Sequence, residues 1–329
     1  MNENNYQLIC MEGKRLLKQN RKFLAPLFLL LLLLLTACGE KEKVASPTAE
    51  QDIKEAETKT VQTTNGEIVI PTNPQRIVAE EYIASLLVLD VKPVGAPGLA
   101  LENYYLKDAL KDVEEIGDYG KPSIEKIIAL KPDLIITGNG ENYDALSKIA
   151  PTVVIPYGEL KDAHEELTYF GELLGKEQEA KDWLAQYDQK IADAKVQVDA
   201  IIPKDASFSI IEDAGKTYYA YGDNFGRGGQ PVYQALGRKP PAKVADEIME
   251  KQWAEISEEV LADYAGDYII LTSDDRTAED FKKDPIWGSL PAVKNDHLYV
   301  WPEERSWYYD PTAVLAQVEE LTNWLTNKK

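Results

Sequence analysis

Hydrophobic positions change their spacing repeatedly along the chain. Five basic side chains between Lys14 and Lys22 precede an apolar run, Phe23 to Leu35, with seven consecutive leucines from Leu29. A basic segment followed by so short an apolar one predicts a secretory leader rather than a membrane span. From Gly39 to about Thr60, Lys, Glu, Ala, Thr and Ser predominate with almost no large apolar residue, the composition of a flexible tether. Order begins with two alternating stretches, Thr60 to Thr64 and Glu67 to Ile70, around Asn65-Gly66, a tight-turn pair. Buried strands are then predicted at Arg76 to Ala79, Val91 to Ala96, Asp133 to Ile136 and Val153 to Tyr157, with helices at Ile83 to Leu89 and Ser123 to Leu130. This alternation is that of an α/β layer.

Between Glu159 and Ala200 the period becomes helical, interrupted only near Gly175. Trp183, Leu184, Tyr187, Ile191 and Ala194 recur at three- and four-residue steps. A helix from Lys176 to Ala200 would be about 35 Å long, enough to bridge two lobes. The α/β texture resumes at Ser207 to Ile211, and the chain ends in an amphipathic helix from Pro311 to about Asn327. The halves also echo one another. Ser123-Ile124-Glu125 precedes Asp133-Leu134-Ile135-Ile136 at the same distances as Ser257-Glu258-Glu259 precedes Asp267-Tyr268-Ile269-Ile270. In each copy Ser is predicted to cap a helix, with Glu in its first turn where the helix dipole favours an anion. The fold expected is α/β, two α/β lobes bridged by a long helix. The corresponding divisions are a leader over 1–37, a tether over 38–60, a lobe over 61–158, a helical bridge over 159–203 and a second lobe over 204–329.

Charge narrows the partners. With 36 basic and 56 acidic residues among 329, the net charge of −20 repels a phosphate backbone, so no nucleic-acid partner is expected. Leu35-Thr36-Ala37-Cys38-Gly39 resembles the lipobox of bacterial lipoproteins, in which the cysteine is acylated and becomes the first residue; an ordinary cleaved signal or a plain anchor are the competing readings. Met11 is an alternative start. Cleavage before Cys38 would remove five basic and two acidic residues, leave 31 and 54, and give −23. Cys10 would leave with the leader, so the exported domain would have no disulfide and rely on its core. His164 on a polar helix and His297 facing solvent at a strand start have no second ligand at metal spacing, so no directly bound metal or cofactor is expected. No Gly-x-Ser-x-Gly elbow, His-Glu-x-x-His helix or phosphate loop supports an enzyme. A lipoprotein hydrolase is the rival class.

Pro74-x-Arg76-Ile77-Val78, Ile116-Gly117, Ser123-x-Glu125-x-Ile127 and Leu130-Lys131-Pro132-Asp133 resemble the N-lobe of iron-complex substrate-binding proteins of ABC importers. Gly222-Asp223-Asn224-Phe225-Gly226-Arg227-Gly228-Gly229 is more specific. With Trp253-Ala254-Glu255 and Trp307-Tyr308-Tyr309-Asp310-Pro311 it is similar to ferric hydroxamate-binding (FhuD-like) lipoproteins. The resemblance implies a class III periplasmic-binding-protein-like fold with a shallow cleft and little hinge motion. It further implies a lipid anchor at the extracytoplasmic face of the cell membrane and delivery of a ferric siderophore to ABC permease subunits, by a monomer. Phe225 and Arg227 match residues that contact the iron complex; Phe225 stands where the family usually has tryptophan. Tyr219, Trp307 and Tyr157 match pocket aromatics, and Tyr82 ends the first strand where a cleft residue belongs. Thr137-Gly138-Asn139-Gly140 lacks a further pocket aromatic, which implies a roomier cleft on that side. Glu125 and Glu259 match the carboxylates that dock on the permease.

Ligand charge can be argued physically. A tris-catecholate complex of Fe(III) is trianionic and needs several converging cations, whereas hydroxamate complexes are neutral or weakly cationic and suit aromatic walls. After the leader only Arg76, Arg227, Arg238, Arg276 and Arg305 remain, while Tyr and Trp cluster at Tyr218 to Tyr221 and Trp301 to Tyr309. The balance favours hydroxamate of the ferrioxamine or ferrichrome type over catecholate or another iron chelate, lysine being still able to build a basic cleft. Glu304 and Arg305 are expected in solvent, Trp183 and Trp324 in the core.

Overall fold

The computed structural model describes residues 57–156, 158–215 and 217–327; the leader, Cys38 and most of the tether lie outside them, as does Tyr157. Strands β1 Thr58–Thr63 and β2 Gly66–Pro71 form the expected hairpin, with Gly66 at φ 97° in the turn. The first strand thus starts two residues before Thr60. Alternate residues Val61, Ile68 and Ile70 face inward and pack on the first lobe.

That lobe comprises β3 Ile77–Ala79, β4 Gly95–Ala96 and β5 Glu114–Glu115, a ribbon of β6 Gly117–Asp118 with β7 Lys121–Pro122, then β8 Leu134–Thr137 and β9 Thr152–Val154. Its main sheet has the order β5-β4-β3-β8-β9 and is parallel throughout. A parallel sheet is covered on both faces, and the near-continuous apolar strands meet that need. Ile77, Ala79, Leu134 and Ile136 enter one core, and Val78 and Ile135 the other. The predicted strand Val91 to Ala96 is paired only at its last two residues.

The second lobe holds β10 Phe208–Asp213, β11 Tyr218–Tyr221, β12 Trp253–Ile256, β13 Tyr268–Thr272 and β14 Leu298–Trp301, in the order β12-β11-β10-β13-β14. Here β11 and β12 run antiparallel, so the lobes share an α/β plan without being copies. The two echo strands do correspond: β8 lies between parallel β3 and β9, and β13 between parallel β10 and β14.

Five helices matter for the site: α1 Ile83–Val88, α2 Ile124–Leu130, α3 Ala163–Leu174, α4 Glu177–Asp199 and α5 Pro311–Thr326. Ser123 caps α2, its side chain accepting from Lys126 N, with Glu125 in the first turn. The matching expectation fails in the second lobe. Ser257 opens a turn through its carbonyl, which accepts from Val260 N at 3.2 Å, and the following helix Leu261–Tyr264 has no side-chain cap. Glu259 therefore sits in that turn, before the helix. Helix α4 does bridge the lobes: Ala180, Trp183 and Leu184 join the first core, Tyr187, Ile191, Ala194 and Val198 the second. Gly175, at φ 67°, ends α3 in the left-handed conformation that glycine adopts without strain. Helix α5, capped by Asp310 and opened by Pro311, packs on both α4 and α1 and so forms a second tie between the lobes. No helix among the described residues is long and apolar enough to cross a membrane.

Candidate ligand-binding cleft

A cavity of about 270 Å³ opens between the lobes. The β3–α1 junction supplies Glu81 and Tyr82, the β6–β7 turn Tyr119, and α3 Glu166; the second lobe brings Asn224 and Trp307 to Asp310. Tyr82 holds φ 60° at the start of α1, a left-handed conformation costly for a side chain this large and held here by the strand before it and the helix after it. Its ring packs 5.2 Å from Phe170. Two hydrogen bonds link the cleft walls across the lobes, Asn103 Nδ2 to Asp310 Oδ2 at 3.2 Å and Tyr105 Oη to the Arg305 carbonyl at 2.9 Å.

Below Trp307 lies the glycine-rich segment. Gly226 at φ 78° and Gly228 at φ 101° flank Arg227, itself at φ 55°. A Cβ on Gly226 would lie 2.5 Å from the Trp307 carbonyl, and one on Gly228 2.8 Å from the Trp301 ring. These glycines let the loop pass directly under the aromatic wall. Gln252 secures it, accepting from Asn224 N at 2.7 Å and donating to Asp223 Oδ1 at 2.9 Å. Arg227 is 8% exposed, its guanidinium 3.8 Å from the Trp307 ring centroid and 5.0 Å from that of Tyr221. Its Nε lies 3.3 Å from Glu212 Oε2, and the same carboxylate accepts the Tyr221 hydroxyl. Arg227 is thus neutralised from behind and supports an aromatic ring forward.

The expected ligand residues are distributed accordingly. Tyr82 and Trp307 line the cavity. Arg227 supports Trp307 from beneath, and Phe225 stacks on Tyr221 at 5.6 Å in the loop's packing. Tyr219 lies on β11, with its ring 6.1 Å from that of Trp253. Tyr157 is outside the described residues, next to Gly158, which does line the cavity. Glu125 and Glu259 are solvent-exposed, one on each lobe.

Three carboxylates of the cleft escaped the reading of the sequence: Glu81, Glu166 and Asp310. No Lys or Arg lines the cavity among the described residues. Burial, with Glu80 alongside, pushes Glu81 up to about 7. Burial also carries Glu166 up to about 8, despite a 2.5 Å hydrogen bond from Ser85 Oγ, with Asp310, Asp162 and Glu81 adding to the rise. Asp310 is raised by burial as well, partly offset by its capping bonds. The expected roominess beyond Thr137 is modified by Glu81, whose Cγ would be 2.8 Å from a Cβ on Gly138. The glycine leaves the space that the carboxylate occupies. Neighbouring Glu80 was the signal within reach, since a Glu-Glu-Tyr end to a buried strand puts charge where the cleft residue was sought.

Other polar expectations shift modestly. His297 does not face solvent freely; it stacks 4.1 Å from Tyr268 and its Nδ1 lies 2.9 Å from the Asp267 carbonyl. Arg305 is tied to Glu320 at 2.5 Å outside the cavity. Among the described residues no three His, Cys, Asp or Glu side chains are grouped to hold a metal ion.

Residues 77–305 match the model of the family described as periplasmic binding protein. The chain is 35% identical over 312 residues to the iron(3+)-hydroxamate-binding protein YxeB of Bacillus subtilis (strain 168), covering 93% of this chain and 96% of that one. It is 37% identical over 306 residues to the iron(3+)-hydroxamate-binding protein FhuD of the same strain, covering 91% and 95%. The structure of FhuD2 from Staphylococcus aureus with bound ferrioxamine B superposes with a TM-score of 0.69 at 31% identity, over 77% of this chain and 98% of that one. An α/β fold with a bridging helix, an aromatic cleft between its lobes and a family match over most of the chain make this chain a member of the periplasmic binding protein family, a class that holds solutes without turning them over.

Proposed function

We propose that this protein captures ferric hydroxamate siderophores of the ferrioxamine or ferrichrome type outside the cytoplasmic membrane and passes them to an ABC permease. The observation that carries this reading is the lining of the cleft: Tyr82, Tyr119, Trp307, Tyr308 and Tyr309 with no described Lys or Arg. Such walls take up the apolar surface of a neutral or cationic chelate, whereas a trianionic complex would meet carboxylates unopposed. The names of the two Bacillus relatives and the ligand of the Staphylococcus structure point the same way. Iron would stay in its chelate. A cavity near the low end of usual ligand-site volumes would grip part of such a complex and leave the rest to solvent.

Acylation of Cys38 would tether the protein to the membrane, and Glu125 and Glu259 would meet the permease. The leader and the sequence echo support these two roles. Titration of tryptophan fluorescence tests the ligand class, because Trp307 lies in the wall. Ferrioxamine B and ferrichrome should quench it saturably, and a ferric tris-catecholate should bind at least a hundredfold more weakly. Preference for the catecholate, or silence toward every ferric chelate combined with turnover of some substrate, would overturn the proposal.

A further inference from the structure

The cleft holds more carboxyl groups than a neutral chelate requires. Glu81 and Glu166 both line it, and Asp310 closes it from the second lobe. Asp310 is engaged, accepting from Ala313 N and Asn103 Nδ2. Glu166 has one oxygen on Ser85. Glu81 makes no hydrogen bond or ion pair among the described residues, although its neighbour in the wall is the phenol of Tyr119. Most groups around these carboxylates are themselves acidic or neutral. Glu80 stands next to Glu81, buried to 2% exposure, with the Thr137 side chain beside its carboxylate. Asp162 on the α3 cap faces Glu166, as do Tyr187 from α4 and Lys161 across a small adjoining pocket. Lys161 lies outside the cavity, and Arg227, beneath Trp307, is paired with Glu212. His164, on the same helix, is paired with Asp188 at 2.9 Å.

We propose that the cleft selects among ferric hydroxamates by charge, preferring complexes that carry a protonated amine, which it seats against Glu81 and Glu166. The inference rests on the hydroxamate reading above and adds to it a ligand subclass. A primary ammonium remains charged below about pH 10. Glu81 and Glu166 give up their protons only near 7 and 8, so at lower pH they face the ligand uncharged. An arriving ammonium favours the ionised form, and binding of the cationic complex is therefore accompanied by proton release. Its affinity rises with pH through this window, whereas a neutral complex lacks that linkage.

A matched pair of ligands tests this. Ferrioxamine B carries one terminal ammonium, and its N-acetyl derivative has the same iron centre and no net charge. Affinities of both are measured by fluorescence titration at pH 6 and pH 8.5. The cationic complex is expected to bind about tenfold more tightly at pH 8.5, with the ratio shrinking to about threefold or less at pH 6. Glu81→Gln combined with Glu166→Gln should bring the ratio at pH 8.5 to within about twofold. Equal affinities at pH 8.5, or a ratio insensitive to pH, would overturn charge selection while leaving hydroxamate binding in place. If neither complex binds, the hydroxamate reading and this inference fall together. The wild-type comparison needs no variant, so a folding defect in the double substitution cannot blunt it.

Discussion

Arg227 illustrates how a residue can be found in the sequence for one reason and positioned in the structure for another. Its match to a ligand-contacting arginine suggested direct donation to the chelate, yet its guanidinium lies between Tyr221 and Trp307 with Glu212 against its Nε. Cation–π contacts in such desolvated sites contribute about 1 to 2 kcal/mol, enough to hold the Trp307 ring in one orientation. Arg227→Ala should weaken ferrioxamine binding by roughly tenfold, because the platform under Trp307 is removed. It should also lower the melting temperature, since Glu212 loses its cation in a poorly solvated place. Titration and thermal melting of the variant check both effects; an unchanged affinity would show that the stack does not position the wall. Tyr82 was recognised from its place at a strand end, and its left-handed backbone is the structural price of pointing a large ring into the cleft.

At the scale of elements, the glycine-rich segment shows most clearly why a motif has its composition. From sequence the segment matches one that contacts the ligand, and the backbone geometry supplies a further reason for its glycines, close approach. Gly229 has an ordinary helical φ of −61°, but a Cβ there would lie 2.0 Å from the Gly222 carbonyl. Gly229→Ala should therefore destabilise the protein by about 2 to 3 kcal/mol through backbone displacement. Denaturant unfolding measures this, and a loss below about 0.5 kcal/mol would mean that the loop yields freely. The paired Ser-x-Glu segments illustrate the opposite outcome. Ser123 became a helix cap and Ser257 did not, because the chain after Ser257 turns once before a helix of only four residues. Local sequence sets capping preference; the length of helix that follows is decided by packing.

For the whole molecule, α4 and α5 both touch the two lobes, and Asn103 with Tyr105 adds hydrogen bonds across the cleft. Such ties oppose wide opening and favour a receptor whose two outer faces keep a fixed separation. The proposed docking pair depends on that separation, one carboxylate on each lobe. Glu125→Ala combined with Glu259→Ala should leave siderophore affinity within about twofold, since both side chains are exposed away from the cavity lining. Uptake of labelled iron by cells relying on the variant should fall at least tenfold. Uptake at the wild-type rate would refute the docking role.

The sequence by itself determined the α/β class, the bridging helix and the aromatic character of the site, because strand and helix periods and a long proline-free amphipathic stretch are local properties. It also carried the family resemblance through short motifs. Only the tertiary structure decided which charges face the ligand. Glu81, Glu166 and Asp310 are separated by 85 and 144 residues along the chain and look like any other members of an acidic surface until the lobes bring them to one cavity. Conversely, Arg227 looked available and was enclosed by Glu212, Tyr221 and Trp307. Composition counts charges, but burial and long-range packing determine which of them a ligand can meet.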